Sequence, residues 1–285
     1  MKLCDIYIRD PYILPHNGIY YMYGKKEENE TSFWVYKSKD LENWIEPELV
    51  FVPPLGFWAD RHFWAPEVHQ YKNKFYMFAS FKSEFVHRGT QIMVSDKPDG
   101  QFVPLTEKPV TPSDWECLDG TLYIDKKGKP HIVFCHEWTQ IGDGTICEME
   151  LSEDLKTAIS LPRVLWKASD HKDIIDIIKD KESKITDGPF IYRLKNGELI
   201  CIWSSFNKNG YMELISRSNN QDIDGTWTVD TVPLSAQGGG HGMIFETFSG
   251  ETMFVMHCPN TATKERAVLT KIHQHDFEIA LERKG

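Results

Sequence analysis

The sequence contains no long apolar run. Its 285 residues include no stretch near the ~18 apolar residues that a membrane-spanning helix needs. The first residues, Met1–Tyr7, also lack the basic segment, apolar segment and cleavage site of a secretory signal. We therefore expect a cytoplasmic protein without a membrane partner.

Motifs of several enzyme classes are absent as well. The six cysteines form no CxxC pair, which disfavours disulfide frameworks and thiolate metal sites and is typical of small buried hydrophobic residues. HExxH and GxSxG do not occur, so zinc peptidases and serine α/β-hydrolases have no support. The glycine-rich run 238–242 lacks the GxGxxG spacing and precedes a strand-like segment, which argues against a phosphate loop.

Positive charge is scarce in this sequence. It has 32 Lys and Arg residues against 42 Asp and Glu residues, a formal net charge of -10 at pH 7. An acidic surface repels nucleic-acid phosphates and anionic lipids. We expect neither as a partner, and a small-molecule substrate remains.

Helical patterns are few, and short aromatic and β-branched runs take their place. Each run follows a tight turn, and each turn follows another apolar strand, which is typical of β-hairpins. Asn-Gly-type turns supply the positive φ that such hairpins need. The one helix-like stretch, Ser169–Lys181, is expected as a surface excursion. Five hairpin turns are predicted, at Asn17-Gly18, Asn73, Lys127-Gly128, Asn196-Gly197 and Ser249-Gly250.

A second motif recurs after each of the first four hairpins. We interpret it as a turn before an outer strand, with a Trp or Phe that packs against the neighbouring blade. Its copies are Ser38–Trp44, Ser95–Phe102, Ser152–Leu155 and Ser218–Trp227.

A polar residue stands at the start of each hairpin: Asp10, Glu67, Asp119, Asp187 and His241. Their separations of 57, 52, 68 and 54 residues give a near-constant period. With four strands per unit, this period is typical of blades around an axis. We therefore predict an all-β, five-bladed β-propeller with residues 1–285 as one domain. A β-sandwich is the alternative, but it would not repeat an ionisable residue at the same point of every unit.

Innermost strands of a propeller start near its axis, so these polar side chains are expected to converge there. Like charges close together do not all ionise, and one proton is retained. One protonated carboxyl beside one carboxylate is the equipment for glycosidic bond cleavage. This reasoning makes Asp10, Asp119 and Asp187 the candidate catalytic residues.

Aromatic side chains near these strands are candidates for stacking against sugar rings. The segment 57–64 is rich in aromatic residues and comes just before an axial strand, where a pocket wall is expected. For each aromatic residue, packing between blades is the alternative. The candidate substrate-binding residues are Phe57, Trp58, Trp64, Glu67, Trp138 and His241, with Phe63 and Trp115 as further aromatic candidates.

Several motifs together resemble glycoside hydrolase family 43. They are Arg9–Ile13, Trp64–Val68, Leu118–Gly120 and Gly239–Gly242, supported by the repeat at Ser38–Trp44, and they keep their order over nearly the whole chain. The resemblance implies a five-bladed propeller that cleaves glycosidic bonds with inversion. Its members act mainly as α-L-arabinofuranosidases, β-xylosidases and arabinanases.

The resemblance also implies roles for individual residues. Asp10 resembles the general base that activates water. Asp119 resembles the carboxylate that tunes the acid's pKa and holds the sugar. His241 resembles an axial histidine near a central ion, often calcium, that is bound largely through water; no other cofactor is implied.

One position departs from the family pattern. The general acid is usually a Glu in a Glu-Gly-Pro sequence, and the matching residue here is Asp187, in Thr186–Phe190. Aspartate is shorter by one methylene, about 1.5 Å of reach, which a small backbone shift could absorb. Otherwise Glu213 or Glu137 supplies the acid, or catalysis is weak or lost.

We expect an inverting exo-glycosidase that removes terminal pentosyl residues, α-L-arabinofuranosides above all, from short oligosaccharides. A β-xylosidase of the same family is the first alternative. A related propeller with axial carboxylates, such as a fructosidase or a mannoside phosphorylase, is the second. A carbohydrate-binding propeller without catalysis is the third, because of Asp187.

Overall fold

The computed structural model describes residues 1–236, 238–275 and 278–281, and only the backbone of 274, 275 and 278–281. Within these residues the chain forms five antiparallel sheets, each with four strands in sequence order. The predicted all-β, five-bladed β-propeller is confirmed. The strands are β1 (Tyr12–His16), β2 (Ile19–Gly24), β3 (Phe33–Ser38), β4 (Glu48–Phe51), β5 (Arg61–Tyr71), β6 (Lys74–Lys82), β7 (Gly89–Ser95), β8 (Val103–Pro104), β9 (Cys117–Ile124), β10 (Pro130–His136), β11 (Thr145–Glu150), β12 (Arg163–Lys167), β13 (Asp187–Arg193), β14 (Leu199–Asn207), β15 (Gly210–Ser218), β16 (Trp227–Val229), β17 (Gly240–Glu246), β18 (Thr252–Cys258), β19 (Arg266–His275) and β20 (Glu278–Leu281).

All five predicted hairpin turns are present. In blade 1, His16 pairs with Ile19, so the loop is the two residues Asn17 and Gly18, with φ of 47° and 78°. Positive φ at both central residues matches the right-handed twist of the flanking strands. Blade 2 closes in the same way, whereas blades 3 to 5 use longer loops that contain a glycine at positive φ. The Asn and Gly residues of these turns therefore predicted the positions of the inner hairpins correctly.

The second motif also forms the expected turn. In its first copy, the Asp40 carboxylate accepts a hydrogen bond from the Asn43 backbone N–H at 2.7 Å, and the Ser38 hydroxyl donates to the Asn43 carbonyl at 2.8 Å. These bonds satisfy backbone groups that the tight turn leaves unpaired. The following Trp44 is buried, 2% exposed, as its predicted packing role requires.

Adjacent blades pack through aromatic side chains. Between blades 1 and 2, Phe33 and Phe51 lie 5.9 and 5.8 Å from the ring of Phe81. Such ring pairs add stabilisation beyond the apolar area that they bury. This packing fixes the angle between the sheets. It therefore also fixes how each inner strand is oriented relative to the axis.

Each inner strand has the same backbone irregularity at its start. One residue adopts a left-handed conformation, and in blades 2 to 5 the pairing with the second strand skips two residues there, as in a β-bulge. A Pro or Gly follows this residue in every blade. The left-handed residues are Asp10 (φ 52°), Ala65 (46°), Asp119 (54°), Gly188 (51°) and His241 (51°). The bulge turns the side chains beside it toward the axis.

The helix expected over Ser169–Lys181 is wrong. Only a single 3-10 turn, Ala168–Asp170, forms there, and turns and bends follow. Its backbone groups bond elsewhere: the Ser169 N–H donates to Asp143 at 3.0 Å, and the Ile175 N–H donates to the Phe206 carbonyl at 3.1 Å. Aspartates at 170, 173, 176 and 180 also favour local turns over helix. No helix in the described part of the chain is long and apolar enough to span a bilayer.

Candidate active site

A cavity of about 380 Å³ lies at the propeller axis. Its wall receives residues from all five blades, because the bulged starts of the inner strands meet there. The three predicted catalytic carboxylates share this wall. Among the lining residues are Arg9, Asp10, Lys25, Trp64, Asp119, Glu137, Trp138, Asp187 and His241.

Asp10 is held as a carboxylate. Its Oδ1 lies 3.1 Å from Nδ1 of His241, and its Oδ2 lies 3.8 Å from Nε of Arg9. Burial alone would raise the pKa of Asp10, but the positive charges of His241 and Arg9 outweigh it and hold the pKa well below its usual range. An ionised carboxylate in a water-accessible cavity is suited to accept a proton.

Asp119 has the opposite character. It is 6% exposed, and its Oδ2 accepts the backbone N–H of Gly188 at 3.0 Å and lies 3.8 Å from Nδ1 of His241. Burial raises the pKa of Asp119, and the negative charge of Asp10 adds to the rise. The bond to Gly188 ties Asp119 of blade 3 directly to the residue after Asp187 of blade 4.

Asp187 lines the same cavity, and Tyr211 donates its hydroxyl to Asp187 Oδ2 at 3.1 Å. Burial raises the pKa of Asp187 to about 7, and the nearby charge of Asp119 contributes. A carboxyl that keeps its proton near neutral pH is equipped to act as a general acid. These shifts favour an ionised Asp10 and a proton held on Asp187.

His241 links the carboxylates of two blades, Asp10 of blade 1 and Asp119 of blade 3. Its Nδ1 lies within 3.1 to 3.8 Å of Asp10 and Asp119, and its backbone N–H donates to Ser204 Oγ at 2.7 Å. Burial alone would lower the pKa of His241, but Asp10, Asp119 and Asp187 raise it to about 9. The imidazole is therefore cationic near neutral pH and complements the acidic cluster.

Nδ1 of His241 faces the Asp10 carboxylate at 3.1 Å, so this nitrogen is engaged within the protein and is not directed at an ion. In the part of the chain that the structure describes, no group of three or more His, Cys, Asp or Glu side chains is arranged to hold a metal. A calcium ion near His241, bound through water, stays a prediction from the family resemblance.

Each of the two alternative acids is engaged by other protein groups. Glu213 is fully buried at 0% exposure, and its Oε2 accepts bonds from Ser204 Oγ at 2.6 Å and the Gly242 N–H at 3.2 Å. Through the bond to Gly242 it holds the strand that carries His241. Glu137 lines the cavity, but its Oε2 is already paired with the Arg88 guanidinium. Asp187 remains the better candidate.

Of the predicted stacking residues, Trp64 and Trp138 line the axial cavity. Phe57 and Trp58 do not. Phe57 packs against Phe81 with ring centroids 5.2 Å apart, and Trp58 donates its indole N–H to Gln91 at 3.0 Å. Their loop lies over the contact between blades 1 and 2. The two side chains pack there against neighbouring residues and do not face the axis.

Further predicted residues also lie away from the cavity wall. Glu67 is two residues beyond the bulge at Ala65; it is 6% exposed, and its Oε2 lies 3.1 Å from Nε2 of His69. It therefore does not occupy the position of Asp10 and Asp119 in its blade. Phe63 is in the core at 2% exposure, and Trp115 stacks on His136 at 4.0 Å.

Sequence reasoning missed three residues at the site. Arg9, immediately before the bulge, pairs with Glu265 at 2.9 Å and faces Asp10. Tyr211, on β15, reaches Asp187, and Lys25, after β2, lines the cavity. Arg9 belongs to a recognised motif, so its position could have been noticed, whereas nothing in the local sequence marks Tyr211 or Lys25.

Gly188 supplies a test of this geometry. A Cβ at this position would lie 2.7 Å from the His241 ring, and its φ of 51° disfavours other residues. We expect Gly188→Ala to displace His241, to destabilise the fold by about 1–3 kcal/mol, and to lower kcat/KM more than tenfold. Thermal unfolding and steady-state kinetics check this.

Gly18→Ala is the matched control. Gly18 also has positive φ, 78°, but a Cβ there would meet nothing within 4 Å. In this variant the free energy of unfolding should fall only by the cost of a left-handed alanine, about 1–2 kcal/mol. Its activity should be unchanged. Equal activity in the two variants would contradict the proposed close contact between Gly188 and His241.

Comparison with known proteins agrees with this geometry. The family model "Glycosyl hydrolases family 43" matches residues 5–276. An endo-arabinase from Bacteroides thetaiotaomicron VPI-5482 is 40% identical, with a TM-score of 0.91 over 97% of this chain and 98% of that chain. An α-L-arabinofuranosidase from Lactobacillus brevis, 19% identical with a TM-score of 0.78 over 96% of this chain and 93% of that chain, shares the fold.

Extracellular endo-alpha-(1->5)-L-arabinanase 1 of Bacillus subtilis (strain 168) is 25% identical over 144 residues, 47% of this chain and 45% of that protein. The match thus spans less than half the length of this curated relative. The family model, in contrast, extends over all five blades and includes every residue of the axial cluster. The chain belongs to glycosyl hydrolases family 43.

Proposed function

We propose that the protein hydrolyses α-L-arabinofuranosyl linkages of short oligosaccharides, with inversion at the anomeric carbon. The observation that carries the proposal is the presence of the Asp10 and Asp187 carboxyl groups in one cavity. The pKa of Asp10 is held well below its usual range and that of Asp187 is raised to about 7, which favours base and acid roles respectively. An arabinan-cleaving relative at 40% identity supports the choice of sugar. The volume of about 380 Å³ is at the lower end of the range for small-molecule sites, in keeping with a short occupant.

The reaction follows from these protonation states. Asp10 accepts a proton from a water molecule as its oxygen attacks the anomeric carbon. Asp187 gives its proton to the glycosidic oxygen, and the bond between that oxygen and the anomeric carbon breaks. The products are the inverted sugar and the shortened alcohol. Proton exchange with solvent then returns Asp10 to its ionised form and Asp187 to its protonated form.

The charged neighbours of the pair maintain this division of labour. His241 and Arg9 keep Asp10 ionised, while burial and Asp119 keep the proton on Asp187. Trp64 and Trp138 offer flat apolar faces to the sugar ring. Each residue therefore has one role in the proposal, and each role can be removed separately.

The mode of attack has two candidates. Release of terminal residues is the expectation from the sequence, and the endo-arabinase relative favours internal cleavage. Early products from a long arabino-oligosaccharide separate the two, because terminal attack yields arabinose from the start and internal attack yields a mixture of shorter chains. The cytoplasmic location predicted from the sequence belongs to the same proposal, with imported short oligosaccharides as substrates.

A substrate panel tests the proposal. It contains α-1,5-linked arabino-oligosaccharides, nitrophenyl α-L-arabinofuranoside, nitrophenyl β-xyloside, nitrophenyl β-mannoside with phosphate, and sucrose. We expect turnover of the arabinosides, with the inverted anomer seen first by NMR. Preference for the xyloside, the mannoside or sucrose would replace the substrate class, and binding without turnover would replace the enzyme with a carbohydrate-binding propeller.

The pH profile gives a second test. The pKa of Asp187 is raised to about 7, and this group must be protonated to act, so kcat/KM for an unactivated arabinoside should fall as pH rises through about 7. The pKa of Asp10 lies well below its usual range, so no matching fall is expected on the acid side before the protein unfolds. A profile that stays flat from pH 6 to 9 would contradict the assignment of Asp187.

A further inference from the structure

A second cavity, here called the outer groove, has a volume of about 870 Å³. Its walls are the segments 54–58, 85–89 and 104–113. They lead into β5, β7 and β9, and odd-numbered strands start at the face that carries the axial cavity. The outer groove therefore opens on the same face as the candidate active site, over blade 2.

Arg88 lies between the two cavities. It lines the outer groove, and its guanidinium carbon lies 4.4 Å from the ring of Trp64. The same guanidinium is paired with Glu137. Trp64 and Glu137 both line the axial cavity, so one layer of side chains separates the two sites.

Apolar residues form most of the wall of the outer groove, and His87, Arg88, Glu107 and Lys108 lie among them. Leu55 and Phe85 line it and are 107% and 91% exposed. The indole N–H of Trp58 is already bonded to Gln91, so this side chain offers the groove no free donor. Exposed apolar side chains gathered in a concave site mark a binding surface for an apolar occupant.

We propose that the outer groove binds an aromatic ring attached to the sugar chain outside the axial cavity. The proposal rests on the proposed function, because the axial cavity must hold the neighbouring sugar. Phe57, Trp58 and Phe85 provide aromatic contacts for such a ring. Substrates that carry an aryl or aromatic acyl group are then bound more tightly than the bare oligosaccharide.

The test compares α-1,5-arabinotriose with the same trisaccharide carrying a benzoyl ester. Binding is measured by calorimetry in an Asp10→Asn background, which prevents turnover. We expect the benzoyl group to lower Kd about tenfold, and Leu55→Ser with Phe85→Ser to abolish this advantage without changing Kd for the plain trisaccharide. Both side chains are exposed, so their replacement should not affect folding.

The control pair is Ile159→Ser with Leu161→Ser. These side chains are 60% and 87% exposed and precede β12, at the opposite face, so the benzoyl advantage should persist. An advantage that is absent, or that survives loss of Leu55 and Phe85, overturns the proposal. Equal weakening of both ligands would identify the outer groove as a sugar site and overturn the aromatic occupant. Wild-type hydrolysis of the plain trisaccharide reports the proposed function separately.

Discussion

Asp187→Asn should lower kcat/KM for arabino-oligosaccharides by about 10³-fold, because a general acid contributes 10²–10⁴ in rate. The amide has no proton to give to the glycosidic oxygen. It keeps the shape of the side chain and an oxygen that accepts the Tyr211 hydroxyl, so the cavity should persist. The leaving oxygen would then depart as an alkoxide, which is the unfavourable step.

A substrate whose leaving group needs no proton isolates this role. For a dinitrophenyl arabinofuranoside, Asp187→Asn should cost less than about tenfold, and the fall of kcat/KM through pH 7 should disappear. Asp60→Asn removes an exposed carboxylate from the same face and should leave both substrates unaffected. Equal losses on both substrates in Asp187→Asn would show that Asp187 positions the sugar and is not the acid.

Asp187→Glu asks whether the departure from the family pattern has a structural reason. Glutamate is longer by about 1.5 Å, and Asp187 stands directly before the bulge at Gly188, in hydrogen-bond contact with Tyr211. The bulge therefore sets the backbone position from which this side chain reaches into the cavity, in addition to the effect of its length. A comparison of Asp187 with the usual glutamate must therefore include the position of the strand as well as the residue type.

The bulge also shows what the sequence could and could not predict. The hairpins were predictable because their turns require Gly or Asn at positive φ, and the five-bladed fold follows from their period. The register of the inner strands was not predicted correctly: the left-handed residue is Asp119 in blade 3 but Gly188, and not Asp187, in blade 4. Pro or Gly follows each left-handed residue, but Gly also follows Asp187, so this pattern does not distinguish the two registers in blade 4.

The wall of the cavity was only partly predictable for a different reason. Trp58 and Trp64 stand six residues apart in one aromatic segment, yet Trp64 lines the axial cavity and Trp58 lines the outer groove. Distance from the axis depends on how the blades pack, and a loop sequence does not encode it locally. Tyr211 illustrates the same limit, because it reaches Asp187 of β13 from β15, on the far side of β14.

Asp10→Asn should abolish hydrolysis of both kinds of substrate, by about 10⁴-fold or more. The water molecule loses its proton acceptor, and a better leaving group does not replace it. This common loss distinguishes Asp10 from Asp187, whose replacement spares the activated substrate. Circular dichroism and thermal unfolding should show an intact fold, since His241 keeps Asp119 within 3.8 Å as a partner.

Azide provides the decisive measurement for Asp10. The anion attacks the anomeric carbon without losing a proton, so it needs no base. In Asp10→Asn, Arg9 and His241 no longer face a carboxylate at 3.8 and 3.1 Å, and their positive charges favour a small anion at that point. With the dinitrophenyl substrate we expect partial recovery of rate and a glycosyl azide of inverted configuration, identified by NMR. Undiminished hydrolysis without azide would exclude Asp10 as the base, and an azide product of retained configuration would exclude the direct, inverting displacement.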